Sequence, residues 1–128
     1  MTAKEVVEAY SIALSKGDMK TAFSYFSRDA KWHQPGNNVF SGTKSGLDAI
    51  GKMLSAMMGA TQGSLVINPT GAAMANGNFV SCPIRFMAKN GVKTIDMNGN
   101  DLYEVVDGKI VQVWLFSEDQ PTEDEFWK

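Results

Sequence analysis

Cysteine and histidine are almost missing from this chain, with Cys82 and His33 the single representatives among 128 residues. One cysteine rules out an internal disulfide, and one of each leaves no His/Cys cluster of the kind that holds structural zinc. Charge of one sign is scarce as well. Twelve Lys and Arg stand against fourteen Asp and Glu, a formal charge of −2, so no basic field is available to grip phosphates and nucleic acid is not an expected partner. Long apolar runs are also absent. Met1-Thr2-Ala3-Lys4-Glu5 lacks the uninterrupted apolar stretch of a signal peptide, and no later run approaches the roughly 20 residues of a membrane span. These absences predict a cytoplasmic protein without membrane partner, metal or cofactor.

The length and the 44% hydrophobic content predict one domain over residues 1–128, able to bury about two thirds of its unfolded surface. Thr2 and Glu5 have capping-box spacing, and Val6, Val7, Tyr10, Ala13 and Leu14 recur at helical intervals until Gly17 stops a first helix near Lys16. Asp18 can cap a short second helix with Ala22, Phe23 and Phe26 on one face, broken by Ser27-Arg28-Asp29 before an extended Ala30–Gln34. After the turn residues Pro35-Gly36-Asn37-Asn38, Ser45 and Asp48 open a third helix bearing Leu47, Ile50, Met53, Leu54, Met57 and Met58.

From Ser64 onward the chain reads as strands separated by Asn68-Pro69, Asn76-Gly77, Asn90-Gly91 and Asp107-Gly108. The clearest hairpin pairs Leu102–Val106 with Ile110–Phe116. Pro83 lacks a backbone donor, so its strand is expected at an edge or at a bulge. The predicted class is α+β, with three N-terminal helices packed in the concavity of a strongly curved, mostly antiparallel sheet. The acidic tail Glu118–Lys128 carries Phe126 and Trp127, which are expected to bury against the body or a second subunit.

Bending a sheet around a helix leaves a concave space that serves as the candidate pocket. Met53 and Met57, with Trp32, Tyr103, Trp114 and Phe116, offer apolar and aromatic surface suited to a small hydrophobic ligand, although methionines at helical spacing also make ordinary adaptable core.

The segment Val6–Asp18 resembles the opening helix of ketosteroid isomerases. Phe26–Ala30, Gly42-Thr43 and Asp107–Val111 followed by Leu115-Phe116 occur in the same order as in that superfamily and its SnoaL-type polyketide cyclases. The resemblance covers most of the chain and implies a cystatin-like cone. It implies that Tyr10 stands where the isomerases carry the tyrosine that stabilises an enolate oxygen; a buried tyrosine bonded to backbone is the alternative. The isomerase base position falls on Gln34, an amide, which can orient a carbonyl but cannot take a proton. Neighbouring His33 could act as base, but strand alternation points it away from Trp32 and Gln34. The acidic oxyanion donor falls on Asn100 by gapless counting and on Asp101 by alternation with Tyr103 and Val105. Asp101 is preferred because that register leaves Glu104 in solvent.

The cyclases' histidine has no counterpart in the later strands, and the Asp-Arg-Asp set of limonene epoxide hydrolases finds only Arg85 and Asp101. Three functions therefore stay open: a cofactor-independent isomerase or cyclase using Tyr10, Asp101 and His33, a binding module that has lost its base, and a dimeric assembly protein. The resemblance also implies a homodimer paired through the open sheet face.

Overall fold

A computed structural model describes all residues, Met1–Lys128. The element order is α1 (Ala3–Ser15), α2 (Met19–Ser24), β1 (Phe26–Gln34), β2 (Gly42–Ser45), α3 (Leu47–Ala60), β3 (Val66–Pro69), β4 (Met74–Asn76), β5 (Phe79–Asn90), β6 (Lys93–Val106), β7 (Lys109–Ser117) and α4 (Gln120–Phe126). The fold is α+β, a seven-stranded, mostly antiparallel sheet with four helices. No helix is long and apolar enough to cross a membrane.

Helix α1 begins with the capping box: Thr2 Oγ1 accepts from the Glu5 amide at 3.2 Å while Glu5 Oε1 accepts from the Thr2 amide at 2.8 Å. Val6, Val7, Tyr10 and Ala13 form its buried stripe. Helix α3 buries Ile50, Met53 and Met57 at the same periodicity. Both helices pack on the concave side of the sheet, α1 against β3 to β7 and α3 against β1 and β2.

The sheet runs β2-β1-β7-β6-β5-β3, with β4 continuing the β3 edge along β5 and β1–β7 the parallel pair. Glu104 pairs with Gln112 but Val105 with Ile110, so Val111 is an extra residue that bends β7. Asp107 (φ 51°) and Gly108 (φ 77°) make the two-residue turn with both φ positive, which matches the twist of the flanking strands. Pro83 is accommodated by a gap: its carbonyl accepts from the Thr70 amide at 3.0 Å, on the side where β3 has ended and β4 not yet begun, so its missing donor costs no ladder bond.

The structure differs from the sequence reading at three places. Phe26 starts β1 rather than closing α2, because Tyr25 caps that helix. Ser45 lies in β2, and α3 starts only at Leu47 after Gly46 in a positive-φ conformation (91°). Gly99 pairs in register with Ile84 and Ser117, and a β-carbon there would lie 2.9 Å from Ile84 Cδ1. The tail forms α4, a fourth helix, capped by Asp119, whose side chain accepts from the Thr122 amide at 3.2 Å. Its Phe126 and Trp127 bury against the body, with Phe40 edge-on to Trp127 at 5.0 Å.

Candidate functional site

Between α1, α2, α3, β1 and β3 lies a cavity of about 580 Å³. Its wall is formed mainly by Leu14, Phe23, Trp32, Leu54, Met58 and Ile67, with Tyr10, Ser15, Ser55 and Asn68 as polar elements and no Asp, Glu, His, Lys or Arg. Tyr10 is therefore the titratable group on the wall. It is 2% exposed, and its ring meets Phe26 and Tyr103 edge-on at 5.1 and 5.9 Å. The Tyr10 hydroxyl has no hydrogen-bond partner within the chain, and Tyr10 is one of the residues that line the cavity. Burial first, and then the charge of Asp101, raise its pKa, which keeps it a neutral donor.

Behind Tyr10, off the cavity wall, sits a polar group enclosed by the sheet. Strand alternation turns Ile95, Met97, Asp101, Tyr103 and Val105 of β6 inward and leaves Asn100 exposed. The Tyr103 hydroxyl donates to Asp101 Oδ2 at 3.5 Å, and Cys82 faces Asp101 across the β5–β6 ladder. Burial pushes Asp101 up to about 7; the Tyr103 hydrogen bond opposes this and the charge of Glu123 adds to it. Tyr103 is itself raised well above its ordinary value, chiefly by burial, and burial likewise raises the Cys82 thiol.

Glu123 comes from α4. It is 6% exposed and accepts from the Ser117 hydroxyl, from Gln120 Nε2 at 3.2 Å and from Trp127 Nε1 at 3.1 Å. No group of three or more His, Cys, Asp or Glu side chains stands where it could hold a metal ion.

The structure thus brings Tyr10, Tyr103 and Asp101 together and places Trp32 on the cavity wall. Gln34 is buried on the same face as Trp32, but its Oε1 accepts from Trp32 Nε1 at 2.9 Å and it does not reach the wall. Met53 and Met57 pack in the core instead of lining the cavity; the wall takes Leu54 and Met58, one position further round α3. The apolar face of that helix is wider than sheet packing requires, which is the signal that an edge of it faces open space.

His33, Trp114 and Phe116 lie on the outer face of the sheet, away from the cavity, because their strands alternate Trp32, Val113 and Leu115 inward. There the His33 ring stacks on Trp114 at 5.2 Å while Nδ1 and Nε2 bond Thr43 Oγ1 at 2.9 Å and Gln112 Oε1 at 2.8 Å. Sequence reasoning missed Leu65–Asn68, which line the cavity from the sheet edge, and Glu123, hidden in an acidic tail whose Asp119-Gln120-Pro121 start is nonetheless a helix signal.

The sequence profile of the SnoaL-like domain matches residues 6–113. No curated protein matches the chain. Among solved structures, a protein of unknown function with a cystatin-like fold from Xanthomonas campestris is 40% identical over 99% of this chain and 98% of its own, with a TM-score of 0.94. Bal32a, from a soil-derived mobile gene cassette, is 27% identical over 98% and 96%, with a TM-score of 0.92. TerC, co-crystallised with polyporic acid, shares the fold at 18% identity over 97% and 96%, with a TM-score of 0.84.

Proposed function

The chain belongs to the SnoaL-like domain family, and on that premise we propose that it binds a small, uncharged hydrophobic molecule in the cone cavity, with the Tyr10 hydroxyl donating to an oxygen of the ligand. The observation that carries this reading is the wall: about 580 Å³ bounded mostly by apolar side chains, without a single full charge, and with Tyr10, Ser55 and Asn68 as polar groups that have no side-chain partner within the chain. A carboxylate or phosphate ligand would lose its hydration there and find no cation in return. Sites for small molecules have this makeup, an apolar surround with few polar groups that fix orientation. That TerC was co-crystallised with polyporic acid is in keeping with a cavity of this fold taking an organic ligand.

Binding without turnover ranks first because no group on the wall can take a proton at neutral pH, and Gln34, His33 and Asp101 all stand off it. A second reading, an isomerase or cyclase that stabilises an enolate, is favoured by one feature: a buried carboxyl with a pKa of about 7 close behind the tyrosine.

The test is a spectroscopic titration with phenols of graded acidity, which mimic an enolate, on the unmodified protein and on Tyr10→Phe. Affinity that drops at least tenfold in the variant, about 1.4 kcal/mol, supports an oxygen held by Tyr10, and affinity that also rises with phenol acidity favours the enolate-stabilising reading. Equal affinity in both proteins removes the tyrosine from the site, and no binding of any phenol removes the ligand reading.

A further inference from the structure

We propose that Gln34 is a positioning residue for the ligand site: its side-chain oxygen holds the Trp32 indole, so that the inner end of the cavity offers a ring-bearing ligand a fixed apolar surface as well as the Tyr10 hydroxyl. The effect on affinity rests on the ligand reading above; the held indole does not.

Of the residues that line the cavity, Tyr10 and Trp32 alone are buried, whereas Ser15, Met19, Ser55, Met58, Val66 and Asn68 are exposed. Tyr10 and Trp32 therefore form the inner end, and the exposed residues form the mouth. The backbone of Trp32 is fixed on both sides, by pairing with Lys44 of β2 and Val113 of β7, which leaves the side-chain torsions as its freedom. The torsion about the bond to the ring has a broad minimum, so an outside contact has to set it. Gln34 can make that contact because it is two residues on along the strand. Both side chains point inward from backbone positions about 7 Å apart, within the reach of two long side chains.

Trp32 Nε1 donates to Gln34 Oε1 at 2.9 Å and makes no other hydrogen bond. An indole nitrogen can only donate, so the contact fixes the amide with its oxygen toward Trp32. The two residues are 5% and 6% exposed, and a buried N–H that lost this acceptor would be left unpaired at a cost. The ring is thereby held with its N–H edge turned to Gln34, which stands off the wall, and the surface left for the cavity is carbon. A planar ring packs well on such a surface. Gln34 acts through Trp32 and touches no ligand.

The experiment measures binding of toluene and phenol, a ring without and with an oxygen, to the unmodified protein, Tyr10→Phe, Gln34→Leu, Gln34→Glu, Trp32→Phe and the double variant Trp32→Phe with Gln34→Leu. Alongside, the Trp32 indole proton is followed by NMR and assigned from Trp32→Phe. The expected result is that Gln34→Leu weakens both ligands by about threefold or more, because an indole free to turn must be ordered when the ligand binds. Tyr10→Phe weakens phenol alone. Gln34→Glu, which keeps an acceptor oxygen at the same reach, binds both as the unmodified protein does. In the Trp32→Phe background Gln34→Leu changes neither affinity, since the indole N–H through which it acts is gone. The Trp32 indole proton exchanges slowly with solvent in the unmodified protein and faster in Gln34→Leu. Unchanged toluene affinity in Gln34→Leu, or an equal loss with and without the indole N–H, overturns the proposal and leaves Gln34 a packing residue. Should Gln34→Leu fail to fold, the indole proton of the unmodified protein decides, and exchange as fast as that of a solvent-exposed indole overturns it. Binding of neither ligand overturns the ligand reading and the affinity half together, and the indole proton still decides whether Gln34 holds the ring.

Discussion

Asp101 is the residue where burial and charge compete most openly, and stability shows the outcome. Its folded-state pKa of about 7 stands above the ordinary 3.8, so the folded chain holds this proton more tightly than the unfolded chain does. The associated stability is fully present below about pH 4, is lost as pH rises, and is gone once pH passes about 7. Three pH units correspond to about 4 kcal/mol. Urea unfolding of the unmodified protein and of Asp101→Asn should therefore show a gap between the two that shifts by a few kcal/mol in favour of the variant from pH 4 to pH 8. A constant gap would mean that Asp101 ionises freely and is solvated. Cys82, facing it across the ladder with a raised thiol pKa, is expected to react with thiol reagents in native protein far more slowly than after unfolding.

At the scale of elements, α4 is latched to the loop after β1. Asp124 Oδ1 accepts from the Asn37 amide at 3.0 Å, from Asn38 Nδ2 at 2.9 Å and from Gln120 Nε2 at 3.0 Å. Gly36 permits this approach, since its φ is 85° and a β-carbon would lie 2.1 Å from Asp124 Oδ1 and 2.2 Å from Gln120 Nε2. Gly36→Ala is expected to cost about 1 to 3 kcal/mol and to loosen α4, read as a lowered Tm and a change in Trp127 fluorescence. An unchanged Tm would show that the side chains step aside freely.

The latch also marks the limit of what sequence can say. The capping box of α1, the stripe Val6-Val7-Tyr10-Ala13 and the hairpin at Asp107-Gly108 are local, each decided by residues within a turn of one another, and all were legible. Strand β2 is a short edge piece whose pairing comes from β1, so nothing in Gly42–Ser45 announces it, whereas β4 runs into the Asn76-Gly77 turn that signals its hairpin with β5. The site divides the same way. Alternation put Asp101 with Tyr103 and set His33 opposite Trp32, but it could not say that Trp114 follows His33 outward, because the bulge at Val111 belongs to the pairing with β6.

Across the whole molecule, the inner face of the sheet is apolar and covered, and the outer face mixes polar side chains with an exposed aromatic cluster. The inner face meets α1 and α3, whereas the outer face carries Phe79, Leu102, Trp114 and Phe116 on three adjacent strands, with Phe79 and Trp114 6.2 Å apart and Phe116 57% exposed. An antiparallel sheet that faces water is normally polar on that side. Clustered exposed aromatics are the kind of surface that takes a partner, and we propose a second copy of the chain, related by a two-fold axis, as that partner. The expected outcome is a dimer by sedimentation at micromolar concentration, converted to monomer by Phe116→Glu, which sets a charge in the middle of the apolar patch. Because the cavity opens on the opposite side of the sheet, phenol binding should survive that change. A monomeric unmodified protein would leave the aromatic face without this partner; loss of phenol binding on dissociation would instead mean that the cone keeps its shape only when its outer face is covered.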